Sequence, residues 1–302
     1  MIIPPYLQKG DCIGIVAPAR KISFSEIEFA CKWLQKEGFR VAYEDSLFEE
    51  CHQFAGNDTV RVGAFQKMLD DPNIKAILCA RGGYGSVRII DQLDFTEFCK
   101  SPKWICGYSD VTVFHAHIHQ NFGISTLHST MLINMTEKLS DSQSMITMVQ
   151  ALRGEPIDYS IACHPYNTIG SATGTLVGGN LSILYSLMGS SSEIDTAGKI
   201  LVIEDLDEYL YHIDRMLVAL KRGGKLAHLA GLIVGGMSEM RDNTIPFGET
   251  AEESIIRHCK AYGYPICFGF PVGHIEENWA LKMGVTYQLK VSETGSRLLE
   301  SL

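Results

Sequence analysis

The first half of the chain alternates short apolar runs with stretches of helical periodicity, and that alternation limits its folds more than any other feature. Residues 12–17 (CIGIVA) lack any charged or polar side chain apart from a thiol and are bounded by Gly10-Asp11 and Pro18, as a strand buried on both faces requires. Over 25–37, Ile27, Ala30, Cys31 and Leu34 recur at the spacing of one helical face. Ser25 with Glu28 fits a capping box, and Gly38 supplies a stop. The pattern then predicts a strand at 39–43, a helix near 60–69, a strand at 74–80, a helix near 86–93, and a strand at 104–106 ending on Gly107. A helix over about 140–152 closes this half. Such alternation predicts an α/β fold with a parallel sheet of flavodoxin or Rossmann type, whose ligands bind beyond the C-terminal strand ends.

Residues 154–171 hold two prolines and little periodicity, which reads as a linker between a domain at 1–153 and a smaller α/β domain at 172–302. In the second part the expected elements are strands at 173–177, 199–203, 232–235 and 266–270, with helices at 210–221 and 252–262. A total of 302 residues suits two domains, and 46% hydrophobic with 20% charged residues is a globular balance. No window approaches the ~20 apolar residues that cross a bilayer, and the N-terminus lacks the pattern of a signal peptide, so a soluble, cytoplasmic protein is expected. A formal charge of −9 without a dense Lys/Arg run argues against nucleic acid as a partner. Nine cysteines, an odd number with no C-x-x-C, fit reduced thiols rather than a disulfide framework.

Three places put a reactive residue just past an expected strand. In Cys106-Gly107-Tyr108-Ser109-Asp110, a serine on a strand-to-helix turn exposes its hydroxyl beside the N–H groups of a helix start. The second glycine of G-x-S-x-G is replaced by Val111, and taken alone the pentapeptide fits a helix cap better than a nucleophile. The turn Arg81-Gly82-Gly83-Tyr84-Gly85-Ser86 lets backbone approach a ligand and present N–H groups, but it lacks the Gly-Lys-Ser/Thr of a P-loop. An ordinary turn and an oxyanion donor fit it equally. The third place is split between Glu204-Asp205-Leu206-Asp207-Glu208 and Pro271-Val272-Gly273-His274, each after a strand. A serine, a histidine and a carboxylate at strand ends make a triad in the order Ser, Glu, His. His115-Ala116-His117-Ile118-His119 is the rival: His115 and His119 share a helical face, as zinc pairs do, but no glutamate or third ligand accompanies them, so histidines of the core or surface are expected. The pair Tyr209 and Tyr211 reads as packing rather than as a sugar platform.

Taken together, these segments resemble the LD-carboxypeptidase (muramoyltetrapeptide carboxypeptidase) family. The resemblance runs through Gly10–Ala19, Phe54-Ala55-Gly56-Asn57-Asp58 with Arg61, Ala80–Gly85, Gly107-Tyr108-Ser109-Asp110, Gly178-Gly179-Asn180, Ile203-Glu204-Asp205 with Ile213-Asp214-Arg215, and Gly269–His274 with Asn278. It implies a two-domain Ser-Glu-His peptidase with Ser109 as nucleophile, His274 as general base and Glu204 as its partner, Glu208 being the fallback. The backbone N–H groups of Gly83 and Asp110 would form the oxyanion hole, and Arg81, Gly82, Tyr84 and Asn180 would meet the substrate. The implied reaction releases the terminal D-alanine of a murein tetrapeptide during cell-wall recycling, with neither metal nor organic cofactor. Members of the family commonly form homodimers, which the resemblance implies here as well.

A related branch resembles microcin self-immunity proteins, which cleave aminoacyl or peptidyl adenylates with the same triad. The compact chain, without an obvious insertion, favours the cell-wall peptide. Readings from other classes are a silent peptide-binding module in which Ser109 is only a cap, and a metal hydrolase built on His115 and His119.

Overall fold

A computed structural model describes residues 1–301. The expected alternation is realised in the first half as strands β1 (Cys12–Val16), β2 (Arg40–Ala42), β3 (Ile74–Cys79), β4 (Trp104–Gly107) and β5 (Thr126–His128). The helices are α1 (Phe24–Lys36), α2 (Asp58–Asp70), α3 (Thr96–Lys100), α4 (Thr112–Phe122) and α5 (Gln143–Leu152). Every residue of β1 is buried, the signature of a central parallel strand. Helix α1 buries the four residues its periodicity singles out, Ile27, Ala30, Cys31 and Leu34. Sealing Ile27 and Leu34 alone contributes about 1.5–3 kcal/mol each. Its cap lies two residues earlier than expected: Glu26 accepts from the Ser23 N–H at 2.8 Å, so Ser23 rather than Ser25 opens the helix. The helix expected over 86–93 is replaced by two short 3₁₀ turns, Ser86–Arg88 and Ile90–Gln92, and the Ser86 N–H at the head of the first donates to the Asp110 carboxylate at 2.8 Å.

The later elements are β6 (Asp158–Ile161), β7 (Gly170–Asn180), α6 (Leu181–Ser186), β8 (Ile200–Leu206), α7 (Leu210–Arg222), β9 (Gly231–Ser238), α8 (Ala251–Cys259), β10 (Ile266–Cys267), β11 (Leu281–Met283), β12 (Thr286–Ser292) and β13 (Gly295–Glu300). The first sheet has the order β11-β5-β4-β3-β1-β2. Strand β1 pairs with β2 and β3, β3 with β4, and β4 with β5, all in parallel. The run β2-β1-β3-β4-β5 is the flavodoxin order, with its switch point between β1 and β3. The second sheet, β10-β9-β8-β7-β12-β13-β6, is parallel from β10 to β7 and antiparallel from β7 to β6.

The chain divides into two compact units: residues 1–155 with 279–282, and 156–278 with 283–302. Residues 154–171, expected as a linker, instead include β6, which pairs with β13. The first unit also claims a piece of the C-terminal region, because β11 is the edge strand beside β5. Within that unit Lys282 is buried, its Nζ 3.0 Å from the Glu155 carbonyl and 5.0 Å from the Tyr6 ring centroid, and the Ala280 N–H reaches Thr147 Oγ1 at 3.0 Å. Among the described residues no helix is long and apolar enough to cross a membrane.

Candidate active site

In the first unit Ser109 follows β4 directly and opens a 3₁₀ turn, Ser109–Val111, that leads into α4. Its φ is +63°, a left-handed conformation that a serine adopts only under constraint. An N-cap residue would instead be extended, which is what Tyr108 is at the head of this turn. The glycine turn after β3 lies against the serine: a Cβ on Gly82 would sit 3.1 Å from Ser109 Cβ and 3.3 Å from its Oγ. Glycine is therefore the residue that lets this backbone come so close. The buried Asp110 carboxylate ties the two turns together by accepting the Ser86 N–H at 2.8 Å. Burial raises the Asp110 pKa, against hydrogen bonds from Ser86 and Gly85 that lower it. At the rim Tyr84 is exposed, its ring 6.1 Å from that of Phe54. The Arg81 guanidinium lies 3.4 Å from the Lys21 carbonyl and 3.6 Å from Glu26.

The strand end carrying the serine is braced from α4. His115 is buried, with Nδ1 2.8 Å from Thr126 Oγ1 and Nε2 2.9 Å from the Gly107 carbonyl. The carbonyl must receive a proton, so Nε2 carries it and Nδ1 accepts from the threonine hydroxyl. Burial pushes its pKa down to about 4, and the ring stays neutral. Both nitrogens are thus engaged inside the core, and His115 is a framework residue rather than half of a metal pair. Among the described residues no three His, Cys, Asp or Glu side chains are grouped to hold a metal ion.

In the second unit the ends of β8 and of the segment after β10 bring Glu204 and His274 together. Glu204 is fully buried, and its Oε2 accepts from His274 twice, from Nδ1 at 2.7 Å and from the backbone N–H at 3.2 Å. Its Oε1 is buried with no hydrogen-bond partner among the described residues. Gly273 makes the approach achievable: at φ +102°, any Cβ there would fall 2.6 Å from Glu204 Cβ. The turn is held by Asn278, whose Oδ1 accepts the Gly273 N–H at 2.9 Å. Burial lowers the His274 pKa, but the hydrogen bond and charge of Glu204, joined by Asp205 and Glu239, outweigh it and leave the pKa raised. The Glu204 pairing leaves Nε2 as the basic nitrogen.

Glu208, the fallback, is not at this histidine; it pairs with His212 in the first turn of α7. Asn180 is buried: its Oδ1 accepts from Ile183 N at 3.2 Å and Ser182 Oγ at 2.8 Å, and its Nδ2 donates to Asp205 Oδ1 at 3.0 Å. It reaches the site through Asp205, the neighbour of Glu204, which also takes N–H groups from Ser182 and Leu206, each at 2.9 Å. Burial, then the Glu204 charge, raise the Asp205 pKa to about 7. The role of Asp205 was not legible in the sequence because its partners Asn180 and Ser182 lie in other elements; His115 is a core histidine, one of the two placements expected for it.

A family profile described as the LD-carboxypeptidase N-terminal domain matches residues 13–129, and one described as the LD-carboxypeptidase C-terminal domain matches 173–289. The chain belongs to the LD-carboxypeptidase family. Membership makes it a serine-type carboxypeptidase. Among its relatives, a probable murein peptide carboxypeptidase of Bacillus subtilis is 36% identical, over 96% of this chain and 92% of the relative. The crystal structure of muramoyltetrapeptide carboxypeptidase from Oxalobacter formigenes superposes with a TM-score of 0.86 at 25% identity, covering 96% of this chain and 99% of that one. The microcin C7 self immunity protein MccF, in complex with aspartyl sulfamoyl adenosine, shares the fold at TM-score 0.86 and 21% identity, covering 100% and 99%.

Proposed function

We propose that this LD-carboxypeptidase removes the terminal D-alanine from a murein tetrapeptide, between an L centre and a D residue, using Ser109, His274 and Glu204 as a triad. The observation that carries this is the left-handed backbone of Ser109 against the Gly82 turn, the geometry of a nucleophile elbow and not of a cap. The Glu204–His274 pair supports it from the second unit, since a base must be held in one tautomer to take a hydroxyl proton.

In this mechanism Ser109 Oγ attacks the scissile carbonyl carbon while His274 Nε2 takes the hydroxyl proton. Glu204 keeps the proton on Nδ1 and stabilises the imidazolium. The N–H groups of Gly83 and Asp110 receive the oxyanion, at a helix start where such groups lack helical acceptors. Collapse breaks the C–N bond, and D-alanine leaves with the proton from His274. Water then attacks the acyl-serine by the same base, which frees the tripeptide and restores Ser109. Arg81, Gly82 and Tyr84 meet the peptide around the turn, and Asn180 acts through Asp205. The reading carries with it a cytoplasmic place in cell-wall recycling and a homodimer, both following from the family resemblance. The shared fold with MccF makes an aminoacyl-sulfamoyl adenosine the second substrate to try.

The test is mass spectrometry of a diaminopimelate-containing tetrapeptide incubated with the wild type and with Ser109→Ala. The expected result is loss of one D-alanine with wild type, and a rate lower by several orders of magnitude in the variant. Turnover by Ser109→Ala at the wild-type rate would sink the nucleophile assignment. Cleavage of the adenosine substrate alone would move the reaction to the other branch.

A further inference from the structure

We infer that Arg61 is a positioning residue, whose buried guanidinium fixes the Gly82–Ser86 turn against Ser109. This rests on the reading of Ser109 as nucleophile and of that turn as its oxyanion donor. The guanidinium enters from the first turn of α2 and is 2% exposed. One nitrogen, Nη1, donates to the carbonyl of Gly85 at 3.0 Å and to that of Pro18 at 2.5 Å. The other, Nη2, pairs with Asp58. Beneath the plane lies the Phe54 ring, 4.9 Å from the guanidinium carbon.

Three residues of the Phe54–Asp58 motif thereby acquire a task in holding one side chain. Phe54 floors it, Asn57 caps α2 by accepting the Val60 N–H at 3.0 Å, and Asp58 balances its charge while also binding Arg88 at 2.7 Å. Burying a cation is unfavourable unless its charge is paired and its donors are used; here Nη1 and Nη2 are engaged by Pro18, Gly85 and Asp58, while Nε is buried without a partner among the described residues. The turn it grips is built for the grip: a Cβ on Gly85 would lie 2.6 Å from Arg61 Nη1 and 3.0 Å from Ala19 Cα. Asp110 holds the same turn one residue further on, through the Ser86 N–H. Arg61 and Asp110 thus clamp the turn through consecutive residues, while Gly82 at its other end abuts the serine. A lysine cannot replace this fork, because a single ammonium does not span two carbonyls and a carboxylate in one plane.

The test compares Arg61→Met and Arg61→Lys with wild type by circular dichroism, by kcat and KM for D-alanine release, and by the rate at which a fluorophosphonate labels Ser109. Losing an ordered oxyanion donor lowers kcat about 100- to 1000-fold. The expected result is a folded Arg61→Met with kcat reduced on that scale, KM within about threefold, labelling slowed in parallel, and partial recovery in Arg61→Gly with added methylguanidine. A folded Arg61→Met that labels and turns over at wild-type rates overturns the inference. So does a variant that loses KM and stability together with kcat and is not rescued. The labelling arm separates the two readings: if wild type labels at Ser109 but does not cut the tetrapeptide, only the substrate fails, and Arg61 is still judged by the labelling rate. If wild type does not label at Ser109, the nucleophile reading and this inference fall together.

Discussion

Replacing Glu204 by Gln tests the acid–base half of the mechanism most sharply, because the pocket leaves the amide no good orientation. If the amide oxygen takes the place of Oε2, it still accepts the two His274 N–H groups, now at 2.7 and 3.2 Å from a neutral acceptor. The NH₂ then falls where Oε1 lies, buried and without a partner among the described residues. A stranded donor there costs about 1–3 kcal/mol. If the amide flips, its NH₂ faces Nδ1 and forces the proton onto Nε2, the tautomer that cannot act as base. Either way the developing imidazolium loses its counter-charge, and kcat falls on the order of 10⁴-fold, about 5 kcal/mol. The pH profile adds a second readout. The base must be neutral, so kcat/KM rises with pH through the His274 pKa, which stands above its ordinary value chiefly because Glu204 outweighs burial. Glu204→Gln therefore moves the acid limb to lower pH, where residual activity persists. The assay is D-alanine release followed with D-amino acid oxidase across pH 5–9 (roughly the span in which histidines titrate). A variant within tenfold of wild type, or one whose acid limb stays in place, refutes the assignment of Glu204.

Two further outcomes are expected. Gly273→Ala puts a methyl group 2.6 Å from Glu204 Cβ at φ +102°; backbone strain of about 1–3 kcal/mol adds to the clash, so kcat drops while α/β secondary structure survives, as kinetics and circular dichroism will show. His115, held to a pKa of about 4 by burial, keeps the imidazole signals of a neutral ring in NMR spectra down to that pH. The unfolded chain binds this proton below about pH 6.5 and the native state does not, so stability falls by about 3 kcal/mol from this group as pH drops from 6.5 to 4. A ring titrating near 6.5 contradicts its placement.

What could be read from the sequence divides by how local the causes are. Strand β1 and helix α1 were legible because their burial follows from residues within one turn or one run. Ser109, Glu204 and His274 were legible as strand-end residues, and the Glu204–His274 contact followed from that placement. The hairpin β12–β13 was less legible although Tyr287, Leu289 and Val291 alternate with Thr286, Gln288 and Lys290 in burial, because a half-buried antiparallel strand carries only every second residue as signal and lacks the continuous apolar run of a buried parallel one. The 3₁₀ turns at 86–92 departed from a helical pattern where the backbone is held from elsewhere, by Arg61 at the Gly85 carbonyl and Asp110 at the Ser86 N–H, contacts no local window contains. Arg61 is the extreme case: its guanidinium bonds to residues 18, 58 and 85, so its motif stood out while its purpose did not.

The edge strand β11 has a consequence for how the molecule comes into being. The sheet that carries Ser109 takes its outermost strand from residues 281–283, long after its neighbour β5 at residues 126–128 and with most of the second unit in between. Chains emerge from the ribosome N-terminus first, at ~5–20 residues per second, and early domains commonly fold as units while synthesis continues. Here the early unit waits: until residues 279–283 arrive, β5 is an open edge, the Glu155 carbonyl lacks Lys282, and Thr147 lacks the Ala280 N–H. A nascent or prematurely terminated chain therefore exposes a pairing-competent strand. The sheet that carries Ser109 is closed only once residues 281–283 have been made.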